Sequence, residues 1–146
     1  ASVDKYKIEV HRHTSSHTTR RMKRAYEALS AKGMTEDLGS VTFGDVTVAT
    51  PQVDFYAYYI FDHLFEHFLM SGIGLRHLCD WMMLLKRYSG RIDLDNLKTI
   101  LEGMDMMHPW QVFGTVLVKY LGFPQQDFPF YAESDKADKV FSRIRY

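Results

Sequence analysis

Apolar and polar positions alternate from Tyr6 to His11, with Tyr6, Ile8 and Val10 facing one way and Lys7, Glu9 and His11 the other. That period of two predicts a half-buried strand. Thr14 to Thr19 is a polar loop with no period. From Arg20 to Lys32 the period becomes helical, with Met22, Ala25, Tyr26 and Leu29 on one face and Gly33 as the stop. Ser40–Phe43 and Val46–Ala49 flank Gly44-Asp45, which predicts a hairpin closed by a type II′ turn.

Beyond Pro51 the pattern is helical throughout. Val53 to Met70 is apolar over most of its circumference, Ser71-Gly72-Ile73-Gly74 is a tight break, and Leu75 to Tyr88 is a second helix. Asp93 or Asp95 caps a third, which runs to about Met104. His108-Pro109-Trp110 opens a fourth, which stops at Gly122 before Pro124. Phe123 to Ala132 reads as an extended strap over the core. Ser134 caps a short helix with Ala137, Val140, Phe141 and Ile144 on its apolar side.

The fold class expected is therefore α+β and mainly α-helical. A small antiparallel β element, the N-terminal strand plus the hairpin, precedes a bundle of about five helices. With 146 residues the chain suits one domain, residues 5–50 forming a sheet remnant with one helix and 52–146 the bundle. The strand and hairpin make at most a three-stranded sheet. Such a strand often belongs to a larger sheet, with its partner missing or supplied by self-association of another chain.

Composition narrows the class. A chain that is 46% hydrophobic and 14% aromatic is not disordered. Its balanced charge gives no nucleic-acid signal, and no window approaches a membrane span. The single cysteine, Cys79, excludes an internal disulfide framework and reads as buried and inert. With no basic-then-apolar leader pattern, a cytoplasmic location is expected. The neutral total conceals a polarity, since residues 1–36 carry a net +4 and residues 37–80 a net −5.

Three constellations carry chemistry. His63-Leu-Phe-Glu66-His67 places two imidazoles at i and i+4 on one helix face, which suits a zinc ion with Glu66 as base, the spacing of a zinc hydrolase. A third ligand would be Glu102 or His108. The same residues, with Asp62, equally form the polar face of a core helix or hydrogen-bond donors to a ligand. Gly72-Ile73-Gly74-Leu75-Arg76 offers a helix N-terminus and a guanidinium to an anion, unless Arg76 pairs with Asp80. Glu9 and His11, on one side of the first strand, suit a metal ligand or a base. Met82, Met83, Met104, Met106 and Met107 read as core filler.

Together these pieces resemble a family of bacterial nucleotidyltransferases of the DNA polymerase β-like superfamily. The resemblance is carried by Ile-Glu-Val-His, then Phe-Asp-His-Leu-Phe-Glu-His-Phe, then Gly-Ile-Gly-Leu-Arg-His-Leu-Cys-Asp-Trp. It covers about residues 5 to 122 and matches the C-terminal part of such proteins. The resemblance implies transfer of a nucleoside monophosphate from a nucleoside triphosphate to a hydroxyl acceptor, with two Mg²⁺ ions. It makes Glu9 a metal carboxylate and catalytic residue, and gives His11, His63, His67, Arg76 and Asp80 substrate-facing roles. The family's Arg-x-x-x-Asp-x-Asp strand is not found here, and Asp93-x-Asp95 sits at a helix start. The chain is thus expected to be the C-terminal portion of a longer nucleotidyltransferase-like protein, inactive and without tightly bound Mg²⁺ on its own. A non-catalytic helical module binding a ligand or a protein is the alternative, with the zinc hydrolase a second.

Overall fold

The computed structural model describes residues 2–3, 6–7, 20–36 and 38–144. Two short strands, β1 (Ser2–Val3) and β2 (Tyr6–Lys7), pair antiparallel. Helix α1 (Arg20–Gly33) leads to the hairpin β3 (Gly39–Phe43) and β4 (Val46–Thr50). The bundle follows as α2 (Val53–Met70), α3 (Leu75–Tyr88), α4 (Leu94–Gly103), α5 (Met107–Leu121) and the short α6 (Ala137–Phe141).

The α+β, mainly helical expectation is met, but the sheet is arranged differently. Among the described residues β2 pairs with β1 and the hairpin pairs with itself, giving two separate two-stranded sheets in place of one of three strands. The alternating pattern fixes which residues share a face and leaves the pairing partner open, and Ser2–Val3 is too short to register as a period. In the hairpin Phe43 faces Val46 and Val41 faces Val48. Gly44 takes φ +57°, and Asp45 is not among the positive-φ residues, as a type II′ turn requires.

Helix α2 is the hub, packing against α1, α3 and α4, while α5 packs against α4 and α6. Its apolar circumference explains this placement, because a helix with little polar face must be covered on several sides. Phe61 sits fully buried at the centre, with its ring 4.8 Å from Trp81, 5.2 Å from Trp110 and 5.7 Å from Phe113. Two of these contacts are edge-to-face, a geometry worth about 0.5–1.5 kcal/mol per pair beyond area burial.

Polar groups lock the elements together. Asp54, buried in the first turn of α2, accepts the Asp93 amide at 2.8 Å and the Asn96 side-chain amide at 3.0 Å. Asp93 in turn caps α4 by accepting from the Asp95 and Asn96 amides. This settles which aspartate is the cap, and it engages the Asp93-x-Asp95 pair in a helix start.

The strap after Gly122 contains one 3-10 turn, Gln125–Asp127, because its two prolines do not hold the intervening polar residues extended. Phe128 from this strap is buried beside Trp81 and Trp110. The strap is tied to α5 by the Trp110 indole N–H, which donates to the Pro129 carbonyl, and by the Gln111 amide on the Phe130 carbonyl. The last helix begins later than expected, at Ala137. The Ser134 hydroxyl accepts the Lys136 amide just ahead of it, while Thr115 accepts the Ser134 amide. Among the described residues no helix is long and apolar enough to cross a membrane.

Candidate functional site

Helices α2 and α3 form an antiparallel hairpin around Gly72, whose φ of +81° allows the sharp break. On α2 the positions Tyr56, Ile60, His63 and His67 lie on one stripe, at i, i+4, i+7 and i+11. On α3 Arg76, Asp80, Met83 and Arg87 form a second stripe with the same spacing. Because the helices run antiparallel, His67 meets the start of α3 and Tyr56 meets its end. The two stripes therefore border one seam, roughly 16 Å long from Tyr56 to His67 at 1.5 Å per residue.

The end of the seam at the α2–α3 turn is polar. The Nε2 atoms of His63 and His67 stand 3.1 Å apart, and the His67 ring is 6.1 Å from that of His77. His77 joins the group through a local cap: its Nδ1 accepts the Gly74 amide at 3.3 Å, fixing the ring over the N-terminus of α3. His63 stacks on Tyr59 with the rings 6.2 Å apart. Arg76 is 90% exposed and reaches Asp80 at 3.8 Å, an exposed ion pair that contributes little to stability and leaves the guanidinium accessible.

The other end is apolar with a basic rim. A shallow groove of about 490 Å³ is lined by Tyr56, Ile60, Met83 and Leu84, with Arg87 and Tyr88 at its edge. Asp80 reaches into this groove as well as pairing with Arg76, and so links the two ends. Lys86 and Arg87 occupy the last turn of α3, where the helix dipole favours cations.

Several expectations change here. Asp62 is not on the polar face: it is buried and accepts the Tyr58 hydroxyl at 3.2 Å. Burial, reinforced by the Asp62 carboxylate, pushes the Tyr58 hydroxyl well above its ordinary pKa. Met83 is 57% exposed and belongs to the groove, because the α3 face it occupies is covered by no other described element. Cys79 is half-buried.

Glu9 and His11 lie outside the described residues. Of the six residues singled out from the sequence, His63, His67, Arg76 and Asp80 come together on one seam. The two suggested third zinc ligands do not join them. His108 Nε2 lies 3.0 Å from the Lys136 amine, and Glu102 pairs with Lys98 at 4.0 Å on α4. Among the described residues no group of three or more His, Cys, Asp or Glu side chains is placed to hold a metal ion. The described carboxylates therefore do not fit a two-Mg²⁺ centre. Sequence reasoning missed His77 as a member of the cluster, although Gly at the cap and His three residues on is a readable signal.

Comparison with known proteins places the chain by family. The sequence model of a family described as uncharacterised nucleotidyltransferase matches residues 2–122, which spans β1 through the end of α5 and includes the whole α2–α3 seam. No curated protein and no solved structure gives a significant match. With most of its length inside the family's boundaries, and with the resemblance in its helical motifs concentrated on the same seam, the chain belongs to this family of uncharacterised nucleotidyltransferases.

Proposed function

We propose that the α2–α3 seam is a nucleotide-facing surface of a nucleotidyltransferase that moves a nucleoside monophosphate onto a hydroxyl acceptor. The observation that carries this reading is the division of the seam. Imidazole and guanidinium donors gather at one end, and an apolar groove edged by Tyr56 and Tyr88 lies at the other. A nucleoside triphosphate has the same division, an aromatic base and a polyanionic tail. In this reading Arg76, His67 and His77 hold phosphate oxygens at the N-terminus of α3, where amides and the helix dipole favour an anion. Tyr56 and Met83 receive the base.

In the reaction the acceptor oxygen bonds to the α-phosphorus, the bond to the pyrophosphate oxygen breaks, and the acceptor hydroxyl loses its proton. Residues of the seam bind and orient the triphosphate; none of them is a base for that proton. Glu9 would contribute a carboxylate to Mg²⁺ binding, together with carboxylates outside the seam.

The test is a fluorescence titration of the chain with a nucleoside triphosphate, with and without Mg²⁺, alongside His67→Ala. Weaker nucleotide binding with an unchanged unfolding curve is expected. Unchanged binding with lowered stability would make His67 a packing residue and remove it from the site.

A further inference from the structure

We propose that His63 and His67 form a two-nitrogen chelate for a borderline-soft divalent ion such as Zn²⁺, separate from any Mg²⁺ chemistry of nucleotide transfer. The two Nε2 atoms face each other at 3.1 Å. Two imidazoles bound to one zinc at about 2.0–2.1 Å, with an angle between 90° and the tetrahedral value, have their nitrogens about 2.8–3.4 Å apart. The side chains therefore already hold the spacing of a ligand pair, with the rings nearly perpendicular at 85°. Without a metal, one Nε2–H donates to the other nitrogen at that distance; a bound metal displaces that proton and takes both lone pairs.

Two further features favour the metal. His67 lies in the last turn of α2, where the negative end of the helix dipole attracts a cation. The ring of His63 is braced by Tyr59, which limits the rotamer freedom lost on binding. Imidazole nitrogen suits Zn²⁺, Cu²⁺ and Ni²⁺ and is a poor ligand for Mg²⁺, so the pair selects against the ion of the transfer reaction. Among the described residues the two imidazoles are the ligands the proposal assigns. It uses His67, which the nucleotide reading assigns to phosphate, so metal affinity is measured without nucleotide.

The experiment is calorimetric titration of the metal-free chain with Zn²⁺, with Co²⁺ visible absorption as a second readout. His11, His13 and His17 also carry imidazoles, so the comparison includes a variant with all three changed to Ala. One binding event is expected to persist in that variant and in His77→Ala. In His67→Ala it should weaken at least about tenfold, since loss of even an outer-sphere partner costs that much at metal sites. His67 is exposed, so His67→Ala should keep the native unfolding transition; His63→Ala provides the second test. An isotherm unchanged by His67→Ala, or a loss confined to the N-terminal triple variant, would overturn the proposal. So would equal affinity for Mg²⁺ and Zn²⁺.

Discussion

The carboxylate of Asp54 accepts the backbone amide of Asp93 at 2.8 Å, joining the first turn of α2 to the start of α4 across 39 residues of sequence. Its second oxygen takes the Asn96 amide, so one buried side chain satisfies two donors at a helix start. Asp54→Ala should lower stability by about 3 kcal/mol, the loss of charge-assisted bonds plus two donors left without partners. Asp54→Asn should cost less, because one oxygen still accepts while its amide now opposes that of Asn96. Urea unfolding should show a lower midpoint for both variants with an unchanged slope.

Gly114 separates packing from propensity. Glycine inside a helix normally costs about 1 kcal/mol relative to alanine, so Gly114→Ala would stabilise α5 on propensity alone. A Cβ there would lie 2.3 Å from the Phe128 ring, which is itself fixed between Trp81 and Trp110. The expected result is destabilisation by about 1–3 kcal/mol, measured as a fall in thermal midpoint.

The contact between α5 and α6 at Asp138 should respond to acid. Asp138 binds the Lys119 amine at 2.5 Å and the Tyr120 hydroxyl at 2.7 Å, and these bonds hold its carboxyl below the ordinary range. A carboxyl with a lowered folded-state pKa stabilises the fold above its unfolded value and loses that contribution as pH falls through the folded one. The stability difference between the parent and Asp138→Asn should therefore be constant near neutrality. It should close below the ordinary carboxylate range, as followed by unfolding at a series of pH values.

Tyr58 should act at the other end of the scale. Burial holds its hydroxyl protonated, while in the unfolded chain it ionises near 10. Its contribution is complete below that value and declines as pH rises past it. Replacing it by Phe should flatten the alkaline fall in stability, as followed by unfolding at a series of alkaline pH values.

Much of this architecture is written locally. The apolar circumference from Val53 to Met70, the glycines at 72 and 122 and the Gly44-Asp45 turn each specify an element through a neighbour within a few residues, and each is found in place. What the sequence conceals is set by distance along the chain. Asp54 looks like an acidic first-turn residue until Asp93 is brought to it, and Gly114 looks like a helix defect until Phe128 fills the space. The site was legible in the same measure. His63 with His67, and Arg76 with Asp80, follow from helical spacing, whereas the meeting of His67 with His77 depends on how tightly the turn at Gly72 closes. The exposure of Met83 depends on no other described element covering it, which no periodicity encodes.

The claim that the α2–α3 seam faces the nucleotide is tested most directly by backbone amide chemical shifts during titration with a nucleoside triphosphate. Shifts should appear together at both ends of the seam, at His67, Arg76 and His77 and at Tyr56, Met83 and Arg87. Inorganic triphosphate should move only the first group. Nucleotide-induced shifts confined to other elements, or none at saturating nucleotide, would contradict the account.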